Sequence, residues 1–334
     1  MDKDKVEKYL QVIKRAVLLI QEQFDSDSVV DEDMMQEILG EVNKENIVDK
    51  PESKKTFKVD STVKVTKKEN DSDKENRLRQ KHVQSLMEID CWPEAVPNFL
   101  VGGEVSDTDQ INRANAVLDM MLDRSVENLN FLDFGCGEGW IANEVMKRGV
   151  ATSTGYDLWT KPNWVKFDKP TFTNLFSDLK SEYYDLIMLY DVIDHCDNPL
   201  DVVDKIKSLL SPNGIVYVRC HPWISKHGSH VYKQGLNKSY VHLFLTYEEL
   251  TENIDEPPLF VRRELNPLEA YRYWFNDFEI SKERIIREEL SEFFLVPSFK
   301  KLVIADQELP EERHEEFFKD MEIQFVDYVL EKND

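Results

Sequence analysis

Apolar residues fall at Val6, Leu10, Ile13, Val17, Ile20 and Phe24, with spacings that alternate between four and three. That stripe predicts an amphipathic helix over 5–24. Met34, Met35, Ile38, Leu39 and Val42 predict a second, shorter helix over 33–42. Two readings fit this helical extension, 1–45: a hairpin packed within its own chain, or a module for self-association or for docking a protein partner. The periodicity stops over 46–81, where Lys, Glu, Asp, Asn and Ser dominate. A segment with so few large apolar residues cannot offset its ordering entropy, which predicts a flexible charged linker.

From 107 onward, short apolar runs alternate with helical periods. Helices are predicted at 107–122, with Ser106 or Thr108 as the cap, and at 140–148 and 199–210. Strands are predicted at 130–134, 152–156, 171–175, 185–190 and 214–220. This alternation implies a doubly wound, mostly parallel α/β sheet with right-handed crossovers. The unbroken run Leu-Ile-Met-Leu-Tyr at 186–190 suits a strand buried on both faces. A helix at 246–253 and an antiparallel strand pair, 278–288 and 300–305, complete a main domain over 82–305. The segment 306–334 carries eleven Asp or Glu against three Lys or Arg. Phe317, Phe318, Met321, Phe325, Tyr328 and Val329 lie on one face at helical spacing, which predicts an acidic helical tail.

Composition narrows the function classes. The chain has 334 residues, 41% of them hydrophobic, enough for a large core. Its formal net charge is −23, a field that repels phosphate backbones and makes nucleic acid an unlikely partner. The four cysteines, Cys91, Cys136, Cys196 and Cys220, lack CxxC spacing and suit reduced thiols. No apolar run approaches a membrane span and no leader pattern is visible, so a soluble, cytoplasmic protein is expected.

The chemistry concentrates at 130–139, Asn-Phe-Leu-Asp-Phe-Gly-Cys-Gly-Glu-Gly. An apolar strand leads through Asp133 into glycines at 135, 137 and 139, and a helical pattern follows. A second strand ends in Asp157, where a carboxylate is placed to accept hydrogen bonds from a ribose diol. The nicotinamide-dinucleotide fingerprint is G-x-G-x-x-G. Here the third glycine comes one position early, which argues against a nicotinamide-dependent oxidoreductase.

The G-x-G-x-G turn with Asp133 and Asp157 resembles motif I and the following acidic residue of the class I S-adenosylmethionine-dependent methyltransferases. The resemblance spans about 107–305. It implies a seven-stranded sheet, with S-adenosylmethionine as methyl donor. It also implies a donor site built from Asp133, Gly135, Cys136, Gly137, Gly139, Asp157, Asp178 and Asp191. In that reading Asp133 anchors the turn or meets the methionine ammonium, Asp157 binds the ribose hydroxyls and Asp178 meets the adenine amine. Asp191 ends the fourth strand, facing the methyl group. Small-molecule and glycan-directed members often carry a Glu-His pair shortly after this tip. Here the pair is Asp194-His195, and His195 is either a general base or a loop hydrogen-bonder.

The tip lacks the Asn-Pro-Pro-Tyr and Pro-Cys patterns of base-directed enzymes, which disfavours DNA base methylation. Four of the seven histidines, His221, His227, His230 and His242, follow the fifth strand. Three readings stay open for them: a metal site, a general base among His221, His230 and His242, or substrate binding and loop structure. Their spacing matches no standard metal motif, and no metal is expected. The expectation is methyl transfer to a small-molecule or glycan acceptor, with oxygen preferred. The alternative is a docking component that carries a methyltransferase-like domain.

Overall fold

The computed structural model describes residues 71–89, 91–97, 105–252 and 263–333. The helices expected over 5–24 and 33–42, with the self-association or docking role given to them, lie outside these residues. The chain divides into two compact units, 1–91 and 92–334. In the first, helix α1 spans Asp71–Met87. The expected linker over 46–81 therefore does not extend through 71–81. Lys, Arg, Glu and Gln are strong helix formers, so a charged segment can hold a helical backbone without a broad apolar stripe.

The second unit contains α2 (Asp107–Met121), β1 (Asn130–Phe134), α3 (Trp140–Met146), β2 (Thr152–Tyr156), β3 (Thr171–Thr173) and β4 (Tyr184–Tyr190). It continues with α4 (Pro199–Leu209), β5 (Leu210–Cys220), α5 (Tyr247–Glu252), α6 (Pro267–Trp274) and β6 (Phe278–Arg287). It closes with α7 (Glu292–Leu295), α8 (Pro297–Asp306), α9 (His314–Asp320) and β7 (Ile323–Lys332). Ser106 caps α2: its hydroxyl accepts from the Asp109 N–H, relieving one of the helix's unpaired amides.

All seven strands join one sheet in the order β3-β2-β1-β4-β5-β7-β6. The first five run parallel. β7 is antiparallel to both of its neighbours, β5 and β6. The pleat sorts β4 between two cores. Leu186 and Met188 pack with Val117, Leu118 and Val145 of α2 and α3. Ile187 and Leu189 pack with Val203 and Ile206 of α4 and with Tyr271 of α6. Helices thus cover both faces, and the parallel strands can be apolar throughout. Among the described residues no helix is long and apolar enough to cross a membrane.

Two expectations for the C-terminal part are corrected. Residues 300–305 are not a strand. They belong to α8, which opens with Pro297 in its first turn, where the missing N–H costs nothing. The expected helical tail over 306–334 is helical only briefly, and Ile323–Lys332 is the strand that separates β5 from β6. Ile323, Val326, Tyr328 and Leu330 are fully buried. A strand covered on both faces loses its period-two signature, and the remaining apolar spacing then imitates a helix face.

Candidate active site

The glycine turn is built where β1 meets α3 and is tied to the tip of β2. The Tyr156 carbonyl accepts from the N–H groups of Gly135 (2.7 Å) and Cys136 (2.9 Å). The Gly137 N–H donates to Asp157 Oδ2 at 2.9 Å, and the Trp159 N–H donates to Oδ1 at 3.2 Å. Asp157 therefore holds the turn as well as standing beside it. Trp164 braces the other side. Its Nε1–H donates to the Gly137 carbonyl at 2.9 Å, and its ring stacks on Phe172 at 5.1 Å.

Two glycines are required here by space and by backbone. Gly135 has φ +81°, and a Cβ there would lie 2.5 Å from a Val192 methyl. Gly139 has φ +88°, and its Cβ would lie 2.6 Å from the Phe172 ring. Gly135→Ala is expected to cost about 1–3 kcal/mol of stability, from strain at a left-handed position plus the clash. Thermal melts of the two proteins check this, and an unchanged melting temperature would contradict it.

A cavity of about 240 Å³ opens over the turn. Asp133, Gly135, Cys136, Gly137, Gly139 and Asp191 line it, so six of the eight expected donor-site residues share one space. Asp157 adjoins it through its bond to Gly137. Asp178 does not join them. It lies in a separate cleft along β3, where its Oδ2 accepts from the Thr173 hydroxyl at 2.6 Å. Gln110 and Arg113 of α2 and Tyr190 of β4 also line the cavity, without any motif in the sequence to announce them. The amphipathic pattern of α2 reads as core packing, and only the crossover that sets α2 beside the turn brings Gln110 and Arg113 in.

Asp133 is 1% exposed, and its Oδ2 has no hydrogen-bond partner. Burial, reinforced by the nearby Asp157 charge, pushes its carboxyl up to about 7, against a bond from the Ala142 backbone that favours the charge. A buried orphan carboxyl oxygen facing a cavity suits a cationic ligand group.

Across the cavity, Asp191 stands at the tip of β4 with φ +59°. Three histidines from two later segments surround its carboxylate. His221 Nδ1 lies 3.5 Å from Oδ1, His195 Nε2 3.8 Å from Oδ1 and His230 Nε2 3.8 Å from Oδ2. Burial alone would raise the Asp191 carboxyl, but the histidines outweigh it and hold it well below the usual range. The rings also contact one another. His230 Nε2 is 2.5 Å from His221 Nδ1, and His227 Nδ1 is 2.6 Å from His221 Nε2. Burial pushes His227 down to about 3 and His230 lower still, so both are neutral imidazoles at neutral pH.

His242 stands apart from this cluster. Its ring is buried against Trp223, and Nε2–H donates to the Trp223 carbonyl at 2.6 Å. Burial pushes it down to about 3, and its place is that of a loop-ordering residue. Asp194 is structural in the same sense. It accepts from the His221 backbone N–H (2.8 Å) and from the Tyr271 hydroxyl (2.5 Å), fixing the segment that carries His221. Burial pushes its carboxyl up to about 7.

A family model described as a methyltransferase domain matches residues 107–276. The ubiquinone biosynthesis O-methyltransferase of Actinobacillus pleuropneumoniae is 31% identical over 101 residues, covering 26% of this chain and 43% of that protein. The mitochondrial ubiquinone biosynthesis O-methyltransferase of Dictyostelium discoideum is 22% identical over 113 residues, covering 28% of this chain and 35% of that protein. The chain thus spans less than half the length of these curated relatives. Among solved structures, a putative S-adenosylmethionine-dependent methyltransferase from Listeria monocytogenes aligns with a TM-score of 0.41 at 12% identity. That alignment covers 66% of this chain and 98% of that one.

Proposed function

This chain belongs to the methyltransferase domain family, and from that premise we propose that it transfers a methyl group from S-adenosylmethionine to a hydroxyl oxygen of a small molecule or glycan. One observation carries the reading: a single cavity is bounded by the glycine turn with the orphaned Asp133 oxygen and by the histidine-ringed Asp191. Asp133 and the backbone of 135–139 would hold the amino-acid end of the donor, and Asp157 its ribose hydroxyls. When bound, the donor supplies an already activated methyl group on a sulfonium.

What remains for the chain is alignment and removal of the acceptor's proton. Asp191 brings the reacting end of the cavity against His195, His221 and His230. His195, the most exposed of the three, would accept the proton at a ring nitrogen, whereas burial makes His227 and His230 weak bases that position the loop around Asp191. The names of the curated relatives support oxygen as the acceptor atom. The net charge of −23 disfavours a nucleic-acid acceptor. Four unpaired cysteines support a reducing, cytoplasmic setting.

Calorimetric titration with S-adenosylmethionine tests the first half. Binding is expected, and Asp157→Ala should weaken it by more than about tenfold, on the order of 1.4 kcal/mol. A folded wild-type protein that takes up no donor would overturn the proposal. A labelled-methyl screen over hydroxyl- and amine-bearing small molecules tests the second half. Label found only on nitrogen would overturn the choice of oxygen.

A further inference from the structure

We propose that Asp191, His195 and His230 form a binding site for a divalent transition-metal ion of the zinc type, beside the methyl-transfer cavity. The three residues come from the tip of β4, the turn after it and the long loop after β5, so no sequence spacing announces them. The fold nevertheless brings one donor atom from each within 4.8 Å of the others. Their separations fall in an informative range. Asp191 Oδ1 lies 3.8 Å from His195 Nε2, and the other carboxylate oxygen, Oδ2, lies 3.8 Å from His230 Nε2. That is too long for a hydrogen bond. Two ligands each 2.0–2.1 Å from a zinc ion, at a tetrahedral angle, stand roughly 3.3 Å apart. Small side-chain adjustments close the difference.

Two further observations point the same way. Asp191 Oδ1 is buried with no hydrogen-bond partner although ring nitrogens surround it. An ion among them would satisfy it. Asp191 (φ +59°) and His230 (φ +56°) also both hold left-handed backbone, and strain at facing residues marks a functional site. The donor set selects the ion. Two imidazoles and one carboxylate suit zinc or ferrous iron, whereas magnesium and calcium prefer all-oxygen shells. Three protein ligands leave a coordination position open, as catalytic sites do. Asp191 itself lines the cavity. An ion held there would lower the pKa of an acceptor hydroxyl, the same proton-removal task that the imidazoles perform alone. His221 adjoins the cluster: its Nδ1 lies 2.5 Å from His230 Nε2 and 3.5 Å from Asp191 Oδ1, a contact that opens if His230 ligates through Nε2, while His230 Nδ1 is buried and has no hydrogen-bond partner.

The full chain, stripped with a chelator, is titrated with Co²⁺ while visible absorption is recorded, and then with Zn²⁺ against a chelating dye. No methyl donor is present, so the result is independent of methyl transfer. One equivalent of each ion is expected to bind, with cobalt bands of a four- or five-coordinate, nitrogen-containing site and a raised melting temperature. An anaerobic Fe²⁺ arm separates iron from zinc as the tighter ligand. His195→Ala and, as a second variant with better chance of folding at the buried position, His230→Gln should each weaken binding at least tenfold. His242→Ala should leave the cobalt spectrum unchanged. A folded wild-type protein without stoichiometric uptake, or affinity unchanged in both ligand variants, would overturn the site.

Discussion

A chain ending at Asp306 is expected to have no cooperatively folded state. The loss removes β7, which lies inside the sheet, hydrogen-bonded to β5 on one side and β6 on the other. Ile323, Val326, Tyr328 and Leu330 are each 0–1% exposed. Burial of such side chains is worth about 1.5–3 kcal/mol apiece, so these four alone approach the ~5–15 kcal/mol that stabilises a whole domain. The ionic consequence adds to this. Arg219 is buried and makes a two-pronged pair with Asp327 at 2.6 and 2.8 Å, and Arg284 joins the same carboxylate. Removing Asp327 strands a buried guanidinium, at a cost of about 3–5 kcal/mol. Near-ultraviolet circular dichroism during a thermal melt is the measurement. A truncated protein that melts cooperatively within a few degrees of the full chain would refute the claim. Asp327→Ala isolates the ionic part and should lower stability by about the same 3–5 kcal/mol.

Replacing Asp133 with asparagine is expected to act in opposite directions on stability and on donor binding. The folded carboxyl titrates near 7, raised chiefly by burial and further by Asp157. An unfolded aspartate titrates near 3.9. Folding therefore favours the protonated acid. That stability is complete below about pH 4 and is lost as pH rises through about 7. At pH 8 the ionised group costs on the order of 4 kcal/mol, at about 1.4 per unit. Asp133→Asn should remove this slope, so the variant is the more stable protein at pH 8 and nearly equal to wild type at pH 4. A cationic ligand reverses the balance, because the ammonium of the donor pairs with the ionised form. Wild-type affinity for S-adenosylmethionine should then rise with pH up to about 7, with proton release visible in calorimetry below it. Asp133→Asn should lose 2 kcal/mol or more, about thirtyfold, along with the pH dependence. A variant that binds the donor as tightly as wild type, or whose melting temperature still falls with pH as steeply, would show that Asp133 does not face the ligand.

What the sequence made legible is local. The glycines at 135, 137 and 139 sit between a short strand and a helix start, so their role needs only ten neighbouring residues. The five parallel strands follow from runs bounded by turns. The C-terminal strand was not legible, because Phe325, Tyr328 and Val329 have helical spacing. The burial of β7 on both faces, which decides the matter, depends on β5 and β6 lying far away in sequence. The site divides in the same way. Asp133 and Asp157 are marked by their place at strand tips. The grouping of His195, His221 and His230 on Asp191, and the exclusion of His242 from it, is set by the path of a long loop. That path rests on contacts such as Asp194 with the His221 amide, which no spacing rule encodes. Asp178 illustrates the opposite case: the right residue type after the third strand, directed by Thr173 into another cleft.

The strand order has a consequence for how the protein is made. A ribosome delivers β1 to β5 in sequence, then β6, and only afterwards residues 323–332. Until that point the outer edge of β5, with Val216, Tyr217 and Val218, has no pairing partner, and β6 has no strand to pair with. Cys220 must wait for Val326, about a hundred residues downstream, and such long-range pairing is slow to form. A nascent chain that pauses after β6 therefore displays an unpaired, strongly apolar edge, the feature that recruits both chaperones and other unfinished chains. For this protein the burden on cellular quality control should be heaviest between the synthesis of β6 and that of β7, and rare-codon stalls between α8 and β7 should be the ones that lower soluble yield.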